Sequence, residues 1–565
     1  AAMSETLGSD VDLQRFDTGV HYELYKFLGA QVQDKGVHFA VWAPNAKQVY
    51  VSGDFNSWQE RTHPMEGGVV WKLFVPNVKI GTHYKYVIET KEGNILWKAD
   101  PFAFQAQLRP ETASIVADVS DFTWSPWEFC SEGPVSIYEV HLGSWKKGLG
   151  YIELAKELGA YCQKLGFTHV ELLPITEHPL DESWGYQVSG FFAPTARFGT
   201  PKDFQQFVDL MHQQGIGVLL DWVPGHFPSD CFALAQFDGT YLYEYHDERL
   251  GFHPEWNTHV FDYASARVRN FLIASALFWL DVYHVDGLRI DAVQSIIMRD
   301  YARKDDEWIP NHMGGRENLE AIGFLRQLNQ VIKKRFPGRL MCAEDSSIFY
   351  GVTHPEHTGG LAFDLKWSIG WMHETFDFFE TDFAHRDLKK LTHFFNYAFN
   401  ERFILPLSHD EVVHEKKSLL AKMPGDEAQK FAGLRLLYAW QFFCPGRKLL
   451  FMGAEMGQKT EWSSNEELPW GQVNKGVMQL ITDLNCFYRH RLYKTDFDAS
   501  LCWEEKDYLK IKRGNLVGLF NFTLNTYDVQ VKNQILNTDH SAYGGMGRDQ
   551  LPPLTAVIYE QRSLS

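Results

Sequence analysis

Between residues 126 and 492, short apolar runs alternate with amphipathic stretches, and this alternation limits the possible folds more than any other feature of the chain. The clear runs are SIYEVHLGSW, HVELLPIT, GIGVLLDWVP, GLRIDAV, LMCAED, FILPLSHD and KLLFMGAE. A less obvious eighth, LAFDLKW, lies at residues 361–367. Each is short and rich in Val, Ile and Leu, as a strand buried on both faces should be. The intervening stretches read as helices. One is predicted to be capped by Thr200 and to carry Pro201 at its first position, with Phe204, Phe207, Val208 and Met211 as its apolar stripe. Eight repeats of strand then helix predict a central (β/α)8 barrel of parallel strands with insertions. A doubly wound open sheet is the competing arrangement, but no G-x-G-x-x-G or P-loop opens any of the helices.

The flanks have a different texture. In GVHFAVW, Val37, Phe39 and Val41 share one face, and in HYKYVIE so do Tyr84, Tyr86 and Ile88. Turn-formers such as GDFNSW separate these runs, so residues 1–125 are expected to form a β-sandwich. Residues 493–565 return to strand character in YLKIKRGNLVGLFNFT, DVQVKN and AVIYEQ, with Gly514-Asn515 placed as a hairpin turn, and predict a C-terminal antiparallel β-domain. Three domains suit 565 residues, since single cores stop growing near ~250–300.

Composition excludes several functions. A formal charge of -18, from 54 basic and 72 acidic side chains, argues against nucleic acid or an anionic membrane as partner. The longest clean apolar run, FLIASALFWL, is about half of the ~20 residues that cross a bilayer and reads as a core helix. No signal-like order opens the chain, and seven dispersed cysteines never form C-x-x-C, so reduced, mostly buried thiols in a cytoplasmic protein are expected.

Active sites of such barrels form where the strands end. Here the candidate strands end on Asp221, Asp291, Glu344 and the pair His409-Asp410. One terminal carboxylate reads equally well as a helix cap, but four strands ending alike point to chemistry. Crowded carboxylates serve divalent-metal hydrolysis or glycosyl transfer. The zinc pattern H-E-x-x-H is absent, because His409 and His414 lie five apart rather than four. Phe, Trp and Tyr make up 15% of the chain, and Trp184, Tyr186, Phe191 and Phe192 follow the second strand, where one or two rings are expected to stack on a sugar and the rest to pack. In GLRIDAV, alternation aims Arg289 and Asp291 inward, and Leu288 and Ile290 toward the helices.

The segments DWVPGHFP, GLRIDAV, AEDSS and LSHDEVVH resemble the four signature regions of the α-amylase superfamily. More narrowly, FAVWAPNAKQVYVSGDFNSW, ESWGYQVSGFFAPTARFGTP and HEKKSLLAKMPGD resemble bacterial 1,4-α-glucan branching enzymes, nearly from end to end. The resemblance implies a retaining transferase acting on α-glucan as donor and acceptor, without cofactor or metal, and we expect it to work as a monomer. It assigns Asp291 as nucleophile, Glu344 as acid and base, and Asp410 as the third carboxylate. It also implies Arg289 as the group keeping Asp291 ionised, His226 and His409 as hydroxyl binders, Tyr186 as stacking platform and Asp221 as supporting carboxylate. The N-terminal sandwich resembles a glycogen-binding-like module. One departure is Glu415, where the family usually has Gly. Two other readings share these motifs in part: an α-glucan hydrolase that debranches or releases trehalose, and a non-catalytic glycogen-binding protein.

Overall fold

The computed structural model describes residues 9–496, 502–505 and 507–562. At its centre is a closed barrel of parallel strands: β1 (Ser136–Val140), β2 (His169–Leu172), β3 (Gly217–Trp222), β4 (Gly287–Ile290), β5 (Leu340–Ala343), β6 (Leu365–Trp367), β7 (Phe403–Leu407) and β8 (Arg447–Phe451). Each strand pairs with the next, and β8 returns to β1 with Leu450 opposite Tyr138. No sheet edge remains in the barrel to be covered. All eight expected runs are strands, although only the last three residues of 361–367 are extended.

Strand alternation sorts the side chains into two cores. Ile137, Leu219, Cys342, Trp367, Ile404 and Leu449 cluster inside the barrel. Val170, Leu288, Ile290 and Leu405 belong to the larger core shared with the surrounding helices, as expected for β4. The helix Pro201–Gln213 starts as its sequence predicts: Thr200 and Asp203 cap each other's backbone N–H groups, and Phe204, Phe207, Val208 and Met211 are buried. The run FLIASALFWL is buried throughout within Ala266–Val282. No described helix is long and apolar enough to cross a membrane.

The N-terminal module packs two antiparallel sheets. One holds Gly29–Gln33, Gly36–Trp42 and Val70–Pro76; the other is built on Ala46–Gly53 and His83–Thr90. The predicted inward rows on both sheets are buried. Trp42 is core, edge-on to Phe16 and Tyr243 at 5.4 Å each, whereas Trp58 is exposed. The module is pinned to the barrel by Lys98, whose buried ammonium donates to the carbonyls of Cys231 (2.6 Å) and Ala235 (2.8 Å).

At the C-terminus five antiparallel strands run in the order Cys502–Glu505, Leu509–Arg513, Leu516–Asn521, Thr555–Glu560 and Gln534–Asn537. Gly514, at φ +61°, makes the two-residue hairpin turn. DVQVKN is not a strand: Val529 and Val531 instead lie against the sheet's apolar face, and the strand forms just after them. Trp440 of the helix Glu427–Phe443 packs edge-on to Phe520 at 5.4 Å, seating this sheet on the barrel's helical layer. Cys162, Cys342 and Cys444 are buried as expected, but Cys130, Cys231 and Cys486 are exposed, since they fall in loops or on an outer helix face.

Candidate active site

Arg289 is the hub of the carboxyl ends of the strands. It stands on β4 beside Asp221 of β3, with which it is in direct register. Its Nη1 donates to both Asp221 oxygens, at 2.8 and 2.7 Å, and reaches Asp291 Oδ1 at 3.2 Å. Its Nη2 is 3.1 Å from Glu344 Oε2, and the guanidinium lies 4.2 Å over the Trp367 ring. A planar fork on an aromatic face can hold three carboxylates where a lysine could not. The side chains open progressively to solvent: Arg289 and Asp221 are 1% exposed, Asp291 13%, Glu344 24% and Asp410 45%. The last three are therefore the carboxylates a substrate can touch.

Asp291 and Glu344 extend neighbouring strands. Asp291 N donates to Trp222 O (3.1 Å) and Glu344 N to Ile290 O (3.1 Å), prolonging the ladders by one residue. Ala292 then turns the chain at φ +50°, and its N–H binds Glu344 Oε2 at 2.7 Å. Burial and the adjacent Glu344 charge push the Asp291 carboxyl well above the usual range, and Arg289 only partly opposes them. Arg289 favours the ionised form of Asp291, but its nearest partner is Asp221. Burial raises Asp221 too, to about 6, against the pull of Arg289.

His409 bridges the seventh strand to the first. Its Nδ1 and backbone N contact Glu139 at 2.9 and 3.0 Å, and its Nε2 is 3.1 Å from Asp410 Oδ1. Burial disfavours its charge, but the two carboxylates outweigh burial and hold the imidazole well above its ordinary value. The imidazolium and Arg289 in turn hold Asp410 well below the usual carboxylate range, against the partial desolvation that would raise it.

Tyr186 donates to Asp221 and stacks on His409 at 5.7 Å. His226 Nε2 donates to the Tyr186 carbonyl at 3.0 Å, so this histidine also fixes the platform; its Nδ1 has no protein partner. Phe191 and Phe192 are core, while Trp184 stays at the rim between His409 and Trp462. All eight sequence-predicted site residues therefore converge. Sequence reasoning missed Glu139, Glu171 and Trp367, although Glu139 and Glu171 occupy alternating inward positions on β1 and β2, opposite each other in register. No group of three or more His, Cys, Asp or Glu side chains among the described residues has a metal-binding arrangement.

Comparison with known proteins agrees with this geometry. Residues 27–103 match carbohydrate-binding module 48 (isoamylase N-terminal domain), and residues 154–249 and 235–482 match the alpha amylase catalytic domain. A 1,4-alpha-glucan branching enzyme GlgB of Nitratidesulfovibrio vulgaris is 47% identical, covering 97% of both chains. The GlgB of Protochlamydia amoebophila is also 47% identical, over 96% of this chain and 81% of its own. Among solved structures, a pullulanase from Anoxybacillus complexed with maltotetraose shares the fold with a TM-score of 0.74 at 17% identity, covering 97% of this chain and 90% of its own. A barrel rim that gathers three accessible carboxylates around one arginine, joined to near full-length identity of this order, places the chain in the 1,4-α-glucan branching enzyme family of the α-amylase superfamily.

Proposed function

We propose that Asp291, Glu344 and Asp410 carry the branching reaction of this enzyme by retaining double displacement. The observation behind this reading is the single arginine touching Asp221, Asp291 and Glu344, beside an ionised Asp410. Asp291 attacks C1 of a glucosyl unit as Glu344 gives its proton to the departing 4-oxygen, breaking the α-1,4 bond. A β-glycosyl ester of Asp291 remains. Glu344, now a carboxylate, takes the proton of an acceptor's 6-hydroxyl, whose oxygen displaces Asp291 and forms an α-1,6 branch. Repulsion within the Asp291–Glu344 pair favours one shared proton, and the reaction needs it on Glu344. Asp410 and the His409 imidazolium bind ring hydroxyls and favour the positively charged, distorted sugar. The unpaired cysteines suit a reducing, cytoplasmic setting.

The test is to incubate amylose with the protein, then count reducing ends before and after a debranching enzyme. Few new ends at first and many after debranching are expected; an immediate rise matching the loss of iodine colour would indicate a hydrolase. Asp291→Asn should lower kcat by at least ~10⁴ with unchanged circular dichroism, and retained turnover would remove it as nucleophile.

A further inference from the structure

Two buried acids inside the barrel have no part in the displacement itself. Glu139 on β1 and Glu171 on β2 lie opposite each other in parallel register, both without exposed surface. They differ in their partners. Glu139 Oε1 accepts from the backbone N–H of His409 at 3.0 Å and Oε2 faces His409 Nδ1 at 2.9 Å, so both oxygens are engaged. Neither oxygen of Glu171 has a hydrogen-bond partner among the described residues. A second charge beside Glu139, with no donor to receive it, is strongly disfavoured in a dry interior. Burial and the Glu139 charge accordingly push the Glu171 carboxyl well above the usual range. Glu171 is the protonated member of the pair.

The surroundings of His409 fix its charge by geometry. Nδ1 faces Glu139, and Nε2 faces Asp410 at 3.1 Å. A neutral imidazole has one N–H and would turn a lone pair on one of these carboxylates; only the imidazolium satisfies both. The ring is 1% exposed, stacked on Tyr186 and flanked by Trp184, Phe451 and Trp462, which hold it in this orientation. Of the titrating groups around it, Asp221, raised to about 6, and Asp291, raised as well, take up protons as pH falls, and His141, at about 3, stays neutral. Tyr186 and Arg289 are pushed up and keep their protons. The basic side of the pH profile is left to the proton of the reacting pair and to His409.

We infer that Glu139 is a positioning residue for the transfer reaction: it keeps His409 doubly protonated and in place, so that the Nε2 proton serves Asp410 and the sugar hydroxyls, while Glu171 stays neutral beside it. The inference rests on the reading of His409 and Asp410 as groups that bind the sugar.

The ring nitrogens are read directly by NMR of protein carrying isotope-labelled histidine, with the His409 signals identified by their loss in His409→Gln. In the unmodified protein both nitrogens should keep their protons at about pH 8.5, two units above an ordinary histidine. Glu139→Gln relieves Glu171 of a neighbouring charge and makes it easier to ionise, so Glu139→Gln/Glu171→Gln is the decisive variant. Its His409 ring should lose a proton by that pH, whereas Glu171→Gln alone should keep the unmodified signals. In amylose branching, kcat/KM of the double variant should fall about tenfold at about pH 8.5 but less than about threefold at about pH 6, where solvent restores the imidazolium. Glu139→Asp, which keeps the charge, should keep the unmodified profile. An equal loss at both pH values would reduce Glu139 to packing and overturn the proposal. A neutral His409 in the unmodified protein at neutral pH would overturn it too, with no variant needing to fold. If the unmodified protein only hydrolyses amylose, the transferase reading falls, and the ring signals still decide whether Glu139 holds His409 charged.

Discussion

Glu415 shows how one side chain can sit against its backbone. It occupies φ +68°, between His414 at +54° and Lys417 at +72°, in the loop that carries Asp410. Left-handed backbone costs a residue with a Cβ roughly 1–2 kcal/mol, and Gly nothing, so this backbone position favours Gly over the Glu it carries. Glu415→Gly should accordingly stabilise the protein by about 1 kcal/mol, read as a higher denaturant midpoint; a lower midpoint would mean the carboxylate earns its place through contacts. Asp221 sets a pH limit. Its folded value is raised to about 6, so its charge and its hold on Arg289 are present above that pH and lost as pH falls through it. Asp410 stays ionised there, while Asp291, itself raised, also takes up a proton as pH falls, so the acid limb of kcat/KM should carry both groups, with the Asp221 step near pH 6. Asp221→Asn should change the shape of that limb by removing the step near pH 6 and lower kcat/KM at neutral pH; an unchanged profile would assign the limb to Asp291 alone. Arg289 and Asp291 were legible because two charges two apart on an apolar strand must share a face. Glu139 obeys the same rule, but its partner His409 is 270 residues away, and a lone carboxylate in a strand names no partner.

At the scale of elements, the strand and helix periods were readable wherever local pattern and burial agree. The helix Pro201–Gln213 carries its cap, its proline and its stripe in sequence. Thr200→Ala should cost about 1 kcal/mol, measured as a drop in unfolding free energy, with Thr200→Ser close to wild type. DVQVKN was misread because alternation marks a face to be covered, and an irregular segment laid on a sheet satisfies that as well as a strand does. The short β6 was hard to see for a related reason: its inward Trp367 serves Arg289, so the run has little of the aliphatic signature of its neighbours.

At the scale of the whole molecule, the three-part order was visible in texture, but the seams were not. Beside their aromatic contacts they include buried polar groups, such as Lys98 under the N-terminal module. Arg513 does the same for the C-terminal sheet: fully buried, it pairs with Asp496 and donates to Phe443 O at 2.9 Å and Leu492 O at 3.1 Å. Arg513→Met strands Asp496 without its cation and should cost about 3–5 kcal/mol in unfolding experiments, while folded enzyme keeps its kcat. A loss under 1 kcal/mol would show that the aromatic seam of Trp440 and Phe520 suffices.

The closure of β8 onto β1 has a consequence for synthesis. Glu139 is among the first barrel residues to leave the ribosome, yet it meets His409 only across a sheet completed by residues 447–451. A nascent chain already holding Asp291, Glu344 and Asp410 still lacks the strand that positions the charged histidine beside them. Until the last strand pairs with the first, the growing chain therefore lacks the sheet across which Glu139 and His409 meet.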